Sequence, residues 1–281
     1  MTATSVRPRH ATPLLLAVAL AAPLAGCAGR GDRAAPAATT TTRPAATSST
    51  RVTGARGGIL VFSKTTGFRH QSIPDGIAAL REMGGRIGLV VDATEDAARF
   101  TDADLARYQA VVFLSTTGEL LDDGQQAALQ RYLQAGHGWL GIHAASDAEY
   151  GWPWYAGLVG AQFRRHPAVQ PATVVVDPAG RGLAGPVPRR WRRTDEWYDF
   201  RANPRGKVHV LATVDEASYA GGGMGADHPI AWCHDYDGGR SWYSAMGHTV
   251  ESFHEPLFLA HLAAGLRYVT GQSGAGCAAG A

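Results

Sequence analysis

From Gly58 onward, short apolar runs alternate with amphipathic stretches. Gly58–Ser63, Ile87–Val91, Ala110–Ser115 and Trp139–Ile142 are each bounded by polar or glycine-rich segments. They are too short for core helices and read as strands buried on both faces. Between them, Pro74–Met83 reads as a helix capped by Ser72 and stopped by Gly84-Gly85. Thr101–Leu105 reads as a short capped helix, and Asp122 opens another that runs to about Ala135 and ends at Gly136. Such alternation predicts an α/β fold with a mostly parallel sheet and helices on both faces. Further on the pattern turns β-like. Ala172–Val176 and Val208–Val214 are apolar or alternating, and Pro229–Cys233 and Ser241–Met246 flank the hairpin signal Asp237-Gly238-Gly239. Glu255–Val269 is a closing amphipathic helix.

The first residues break this pattern. Arg7 and Arg9 precede an apolar run, Leu14–Ala22, that is too short to span a bilayer in a mature protein. Leu24-Ala25-Gly26-Cys27 follows and resembles a bacterial lipoprotein box, in which the cysteine becomes the lipidated first residue. Residues 28–56 are Ala, Thr, Pro, Ser, Gly and Arg with almost nothing large and apolar, the composition of a flexible tether. The expected organisation is a signal peptide over 1–27, a tether over 28–56, a folded domain over 57–271 and a disordered tail over 272–281. It implies a protein of the cell envelope, held by a lipid on Cys27 to the outer side of the cytoplasmic membrane.

Composition narrows the partners. The formal net charge of +2, from 26 basic and 24 acidic residues, gives no electrostatic footprint for nucleic acid. Cys233 and Cys277 are the remaining cysteines; exported, they either pair or stay apart, and neither has zinc-finger spacing.

Ligands of such sheets bind beyond the carboxyl ends of the strands. The loop after the first strand carries Lys64, Phe68, Arg69 and His70; the loop after the third carries Ser115, Thr116, Thr117, Gly118 and Glu119; the fourth strand runs into His143 and Ser146. Imidazole titrates near neutrality, so His70, His143 and His248 are candidates for proton transfer. Asp195 and Glu196 are adjacent carboxylates, and on a strand only one of them faces a given side. Histidines with a carboxylate also suit zinc or manganese, although no short ligand motif is present, so both readings stand at this point. Trp152, Trp154, Trp197 and Tyr198 are candidate platforms for the C–H faces of a sugar, and His166 and His228 are secondary site candidates.

Gly67-Phe-Arg-His-Gln-Ser-Ile73, Gly141-Ile-His-Ala144, Asp195-Glu-Trp-Tyr198 and Gly247-His-Thr249 together, in this order, resemble the ThuA-like (trehalose utilisation) family over about residues 58–271. The resemblance implies a three-layer αβα sandwich, flavodoxin-like and similar to class I glutamine amidotransferases. Those enzymes hold a nucleophilic cysteine in the tight turn that here reads Gly141-Ile-His143-Ala-Ala145, so amidotransferase chemistry is excluded. The resemblance implies metabolism of a disaccharide or keto-sugar without naming a reaction; the proton-transfer candidates His143, His248, Asp195 and Glu196, taken as catalytic, fit a hydrolase or an isomerase. His70, Arg69, Thr116, Thr117, Trp152, Trp154, Trp197 and Tyr198 would bind substrate. A non-catalytic sugar-binding lipoprotein is the other reading.

Overall fold

The computed structural model describes residues 57–277. The expected signal peptide, the Cys27 lipidation site, the 28–56 tether and residues 278–281 lie outside them. The described elements, in chain order, are β1 (Gly58–Phe62), α1 (Ile73–Arg86), β2 (Val90–Thr94), α2 (Asp102–Leu105), β3 (Tyr108–Leu114), α3 (Asp123–Gln134), β4 (Gly138–Ile142), α4 (Pro153–Val159), β5 (Phe163–Arg165), β6 (Gln170–Val176), β7 (Arg190–Asp195), β8 (Asp199–Phe200), β9 (His209–Asp215), β10 (Pro229–Tyr236), β11 (Gly239–Ser244) and α5 (Pro256–Val269). None of these helices is long and apolar enough to cross a membrane.

The fold is α/β around a nine-stranded sheet in the order β2-β1-β3-β4-β11-β10-β9-β6-β7. From β2 to β11 all neighbours are parallel; from β11 to β7 all are antiparallel. The expected mostly parallel sheet is therefore a mixed one. The parallel half is built mainly from the βαβ series; in the antiparallel half the β10–β11 pair is joined by a two-residue hairpin turn, and no α-helix lies between β6 and β7 or between β9 and β10. β1 and β4 are buried along their whole length, which explains their unbroken apolar runs. Helices cover both sides of the sheet: Trp242 packs under α5 at Gly265, while its neighbour Ser241 donates to Leu158 O of α4 at 2.6 Å.

Local chemistry explains the boundaries. Asp122 caps α3 through a full capping box with Gln125. Asp237 and Gly238 both have positive φ, 47° and 90°, as a two-residue hairpin turn requires. α1 does not stop at Gly84-Gly85 but runs on to Arg86. Gly84 is there because a Cβ would collide with Val91, and the reversal falls at Gly88, with φ 77°. Ser72 makes no capping bond; its hydroxyl donates to Gly247 O at 3.1 Å and ties the start of α1 to the loop after β11.

The tail is anchored. Residues 272–277 have no regular secondary structure, yet Cys277 is buried and disulfide-bonded to Cys233 of β10.

Candidate active site

Because β7, β11, β4, β3 and β1 point the same way, the segments that leave them meet at one edge of the sheet. β4 ends in a sharp turn at His143, whose φ of 53° lies in the left-handed region that costs an ordinary side chain energy. The turn drives the imidazole into a fully buried position at the strand end. His143 Nδ1 lies 2.8 Å from the carbonyl of Ala245, an acceptor only, so this nitrogen carries the proton. In the neutral ring Nε2 then presents a lone pair. It faces His70 Nε2 at 3.1 Å, His248 Nδ1 at 3.2 Å and the Tyr198 hydroxyl at 3.0 Å.

Glu196 completes the group. Its Oε2 lies 3.1 Å from His248 Nδ1 and 3.5 Å from His143 Nε2, and its Oε1 lies 3.0 Å from His166 Nδ1. Asp195 points elsewhere, although sequence analysis groups it with the catalytic residues. It is fully buried, accepts the amides of Gly247 (2.9 Å) and His248 (3.0 Å), and pairs with Arg193 at 3.1 Å. Asp195 therefore shapes the loop that presents His248.

The electrostatics follow from burial and crowding. Burial first, then the charges of His143 and His248, lower the pKa of His70 to about 3, so it is neutral at any ordinary pH. Burial alone would raise the pKa of Glu196, but its contacts with His143 and His248 outweigh that and hold the carboxyl well below its usual range. Burial works against charge on His248 too, yet its bond to Glu196 leaves its pKa raised.

One donor atom from each of His70, His143, His248 and Glu196 lies within 4.8 Å of every other. Ligands about 2.0–2.1 Å from a tetrahedral zinc ion are separated by about 3.3 Å. The nitrogen–nitrogen separations of 3.1 and 3.2 Å fall close to that edge, and the neutral imidazoles and ionised carboxylate are the forms that ligate a divalent cation. The donor set fits zinc or manganese.

His70, Glu196 and His248 line a cavity of about 160 Å³, and His143 is buried beside them. Phe68, Phe163 and Tyr198 give it apolar walls, and Asp147 and His166 join the cluster as polar lining. Several residues expected to bind substrate lie elsewhere. Trp152 and Trp154 stack on each other at 4.8 Å, and the Trp154 indole donates to Asp237 in the β10–β11 turn, at the opposite edge of the sheet. Trp197 is buried, donating to Gln170 O at 2.8 Å. Arg69 is bound to Glu95 on the surface at 2.6 Å. Thr117 supports the His70 loop by donating to Phe68 O at 2.9 Å, and Thr116 is fully buried. Phe163 and Asp147 are pocket residues that sequence analysis missed. Asp147 directly follows the flagged Ser146, whereas Phe163 lies in a strand too short to show a pattern.

Solved structures of similar shape include a putative ThuA-like protein from Bacteroides uniformis, at 22% identity and TM-score 0.66, covering 84% of this chain and 98% of that one. Another is a putative ThuA-like protein from Parabacteroides merdae, at 17% identity and TM-score 0.64, covering 77% and 90%. A β-galactosidase from Bacillus circulans sp. alkalophilus shares the fold over 77% of this chain and 31% of its own, at 14% identity and TM-score 0.52. No curated protein matches the chain. The family model ThuA, described as trehalose utilisation, matches residues 58–269, and the chain belongs to that family.

Proposed function

We propose that this protein is a sugar-processing enzyme of the cell envelope. Its His70–His143–His248–Glu196 cluster holds a divalent cation, zinc or manganese, and the substrate is a disaccharide or keto-sugar. The observation that carries the reading is the convergence of four donors, from the segments that follow β1, β4, β7 and β11, three of which line one small cavity. Such a cation, when bound, polarises a carbonyl or hydroxyl oxygen of the substrate.

The chain's own residues supply the rest. Ala245 O fixes the tautomer of His143, so Nε2 is directed inward. Tyr198, with its hydroxyl 3.0 Å from that nitrogen and its pKa raised by burial, stays a proton donor rather than an anion. Glu196 stays ionised and accepts hydrogen bonds. The reaction class is proton transfer at a sugar hydroxyl or beside a carbonyl, within hydrolysis or isomerisation. The finer architecture that goes with this reading is the three-layer flavodoxin-like sandwich, with a histidine in the turn where amidotransferases keep a cysteine.

The Leu24-Ala-Gly-Cys27 box supports an envelope location with a lipid on Cys27, as does the Cys233–Cys277 bond, since disulfides persist in oxidising compartments. Metal analysis of protein purified without chelator, combined with a product screen by mass spectrometry on disaccharides and their keto forms, tests the proposal. Stoichiometric metal and turnover that His143→Ala abolishes are expected. Metal-free protein with no turnover on any sugar would overturn it.

A further inference from the structure

The cavity also indicates how a sugar is gripped, and the residues are not the tryptophans that composition suggests. Among the described residues Phe68 is the one aromatic side chain that is both large and exposed, with 65% of its surface open, and it stands on the cavity wall. Its backbone is fixed: Thr117 Oγ1 donates to Phe68 O at 2.9 Å and accepts from Gly67 N at 3.3 Å, while Thr66 N donates to Thr117 O at 2.8 Å. The ring meets His70 nearly at right angles, 82° at 4.8 Å, and its exposure leaves a face uncovered. A rigidly mounted ring held open to water beside polar donors suits the C–H face of a sugar, whose burial recovers the apolar surface.

Asp147 supplies the polar counterpart. Its Oδ1 accepts the Tyr150 hydroxyl at 2.6 Å, and the Tyr150 oxygen also lies 3.1 Å from Phe163 O, which holds the carboxylate against the cavity wall. Oδ2 has no hydrogen-bond partner among the described residues, and Asp147 lines the cavity. A fixed carboxylate with one free oxygen is a hydroxyl acceptor. The volume limits the ligand: about 160 Å³ is well under the roughly 300 Å³ at which drug-sized pockets begin, and equals the share of about five waters. One six-membered ring fits; the second ring of a disaccharide has to stay in the mouth.

We propose that the cavity is a one-ring subsite in which a pyranose stacks on Phe68 and hydrogen-bonds through its hydroxyls to Asp147 Oδ2. This rests on the carbohydrate reading of the site.

Saturation-transfer and chemical-shift NMR on the metal-loaded full chain test it, with methyl pyranosides of glucose, galactose and mannose and with trehalose as probes. In the wild type, C–H protons of one ring shift upfield under the Phe68 ring current, in trehalose as in the bound methyl glycoside. Phe68→Leu removes that shift and weakens binding about tenfold, and Phe68→Trp restores both. Asp147→Asn keeps the shift but weakens binding, with metal content unchanged. If the wild type binds a sugar but Phe68→Leu leaves affinity and shifts untouched, the subsite is wrong while the carbohydrate reading stands. If no pyranoside binds the wild type, both fall.

Discussion

Asp195 Oδ1 accepts the backbone amide of His248 at 3.0 Å, so a buried carboxylate on β7 positions the histidine that follows β11. The same side chain balances Arg193, which is itself buried and reaches Glu255 at 3.2 Å and Ser252 Oγ at 2.7 Å. Asp195→Asn keeps the shape and removes the charge. Loss of one partner of a buried pair costs about 3–5 kcal/mol, and Glu255 keeps the loss near the lower end. Urea unfolding of the metal-free variant is expected to show a loss of about 3 kcal/mol. Because the His248 loop loosens, metal affinity falls as well. A variant as stable as wild type would mean that the Asp195–Arg193 pair contributes nothing to this loop.

The four-donor cluster predicts a graded metal response. Glu196→Gln, His248→Ala and His143→Ala each delete or neutralise one ligand. Removing an outer-shell partner usually costs 10–100-fold in metal affinity, so loss of a ligand should cost at least about 100-fold. Zinc competition against a chromophoric chelator measures this. Arg69→Ala, with its side chain bound to Glu95 on the surface, serves as the control and should leave affinity unchanged. Equal zinc affinity across the cluster variants would exclude the site.

How far this site could be read from the chain depended on what each residue packs against. β1, β3 and β4 were legible because burial on both faces leaves apolar runs, and the positions of His70, His143 and His248 follow from where those strands and β11 end. β7 was not legible. Its inward positions are Trp191, Arg193 and Asp195, so a buried ion pair replaces the apolar half of the alternation that marks a strand. The tryptophans misled for a different reason: ring chemistry says nothing about which sheet edge a residue reaches, and Trp154 turns toward Asp237. Cys277 sits among glycines and alanines with no periodicity, and only the tertiary fold brings it to Cys233.

That disulfide should matter to stability. It links residues separated by 44 positions, and in the chain-entropy treatment closing such a loop stabilises the fold by about 4 kcal/mol. Cys277→Ser, or reduction of the wild type, is expected to lower the unfolding free energy by up to that amount while leaving zinc affinity intact, since β10 contributes no cluster residue. Denaturant titrations with and without reductant check it. If reduction leaves the wild-type midpoint unmoved, the bond has no role in holding the tail.

His261 on α5 predicts a pH dependence that is independent of the active site. It is fully buried among Trp242, Trp191 and Phe258, its Nδ1 donates to Ala184 O at 2.8 Å, and its Nε2 has no partner among the described residues. Burial chiefly, with Arg193 adding repulsion and the Ala184 bond opposing, lowers its pKa from 6.5 to about 4. Below pH 6.5 the unfolded chain takes up a proton that the folded chain refuses. Stability from this group is therefore complete above pH 6.5, declines as pH falls from 6.5 to about 4, and is flat below that. At about 1.36 kcal/mol per pKa unit the loss reaches about 3 kcal/mol. His70, lowered to about 3, adds to the decline in metal-free protein over an overlapping range. The two separate by mutation: in zinc-loaded protein, His261→Gln should flatten the slope of unfolding free energy between pH 6.5 and 4 by about one proton. An unchanged slope would show that His261 is protonated in the folded state.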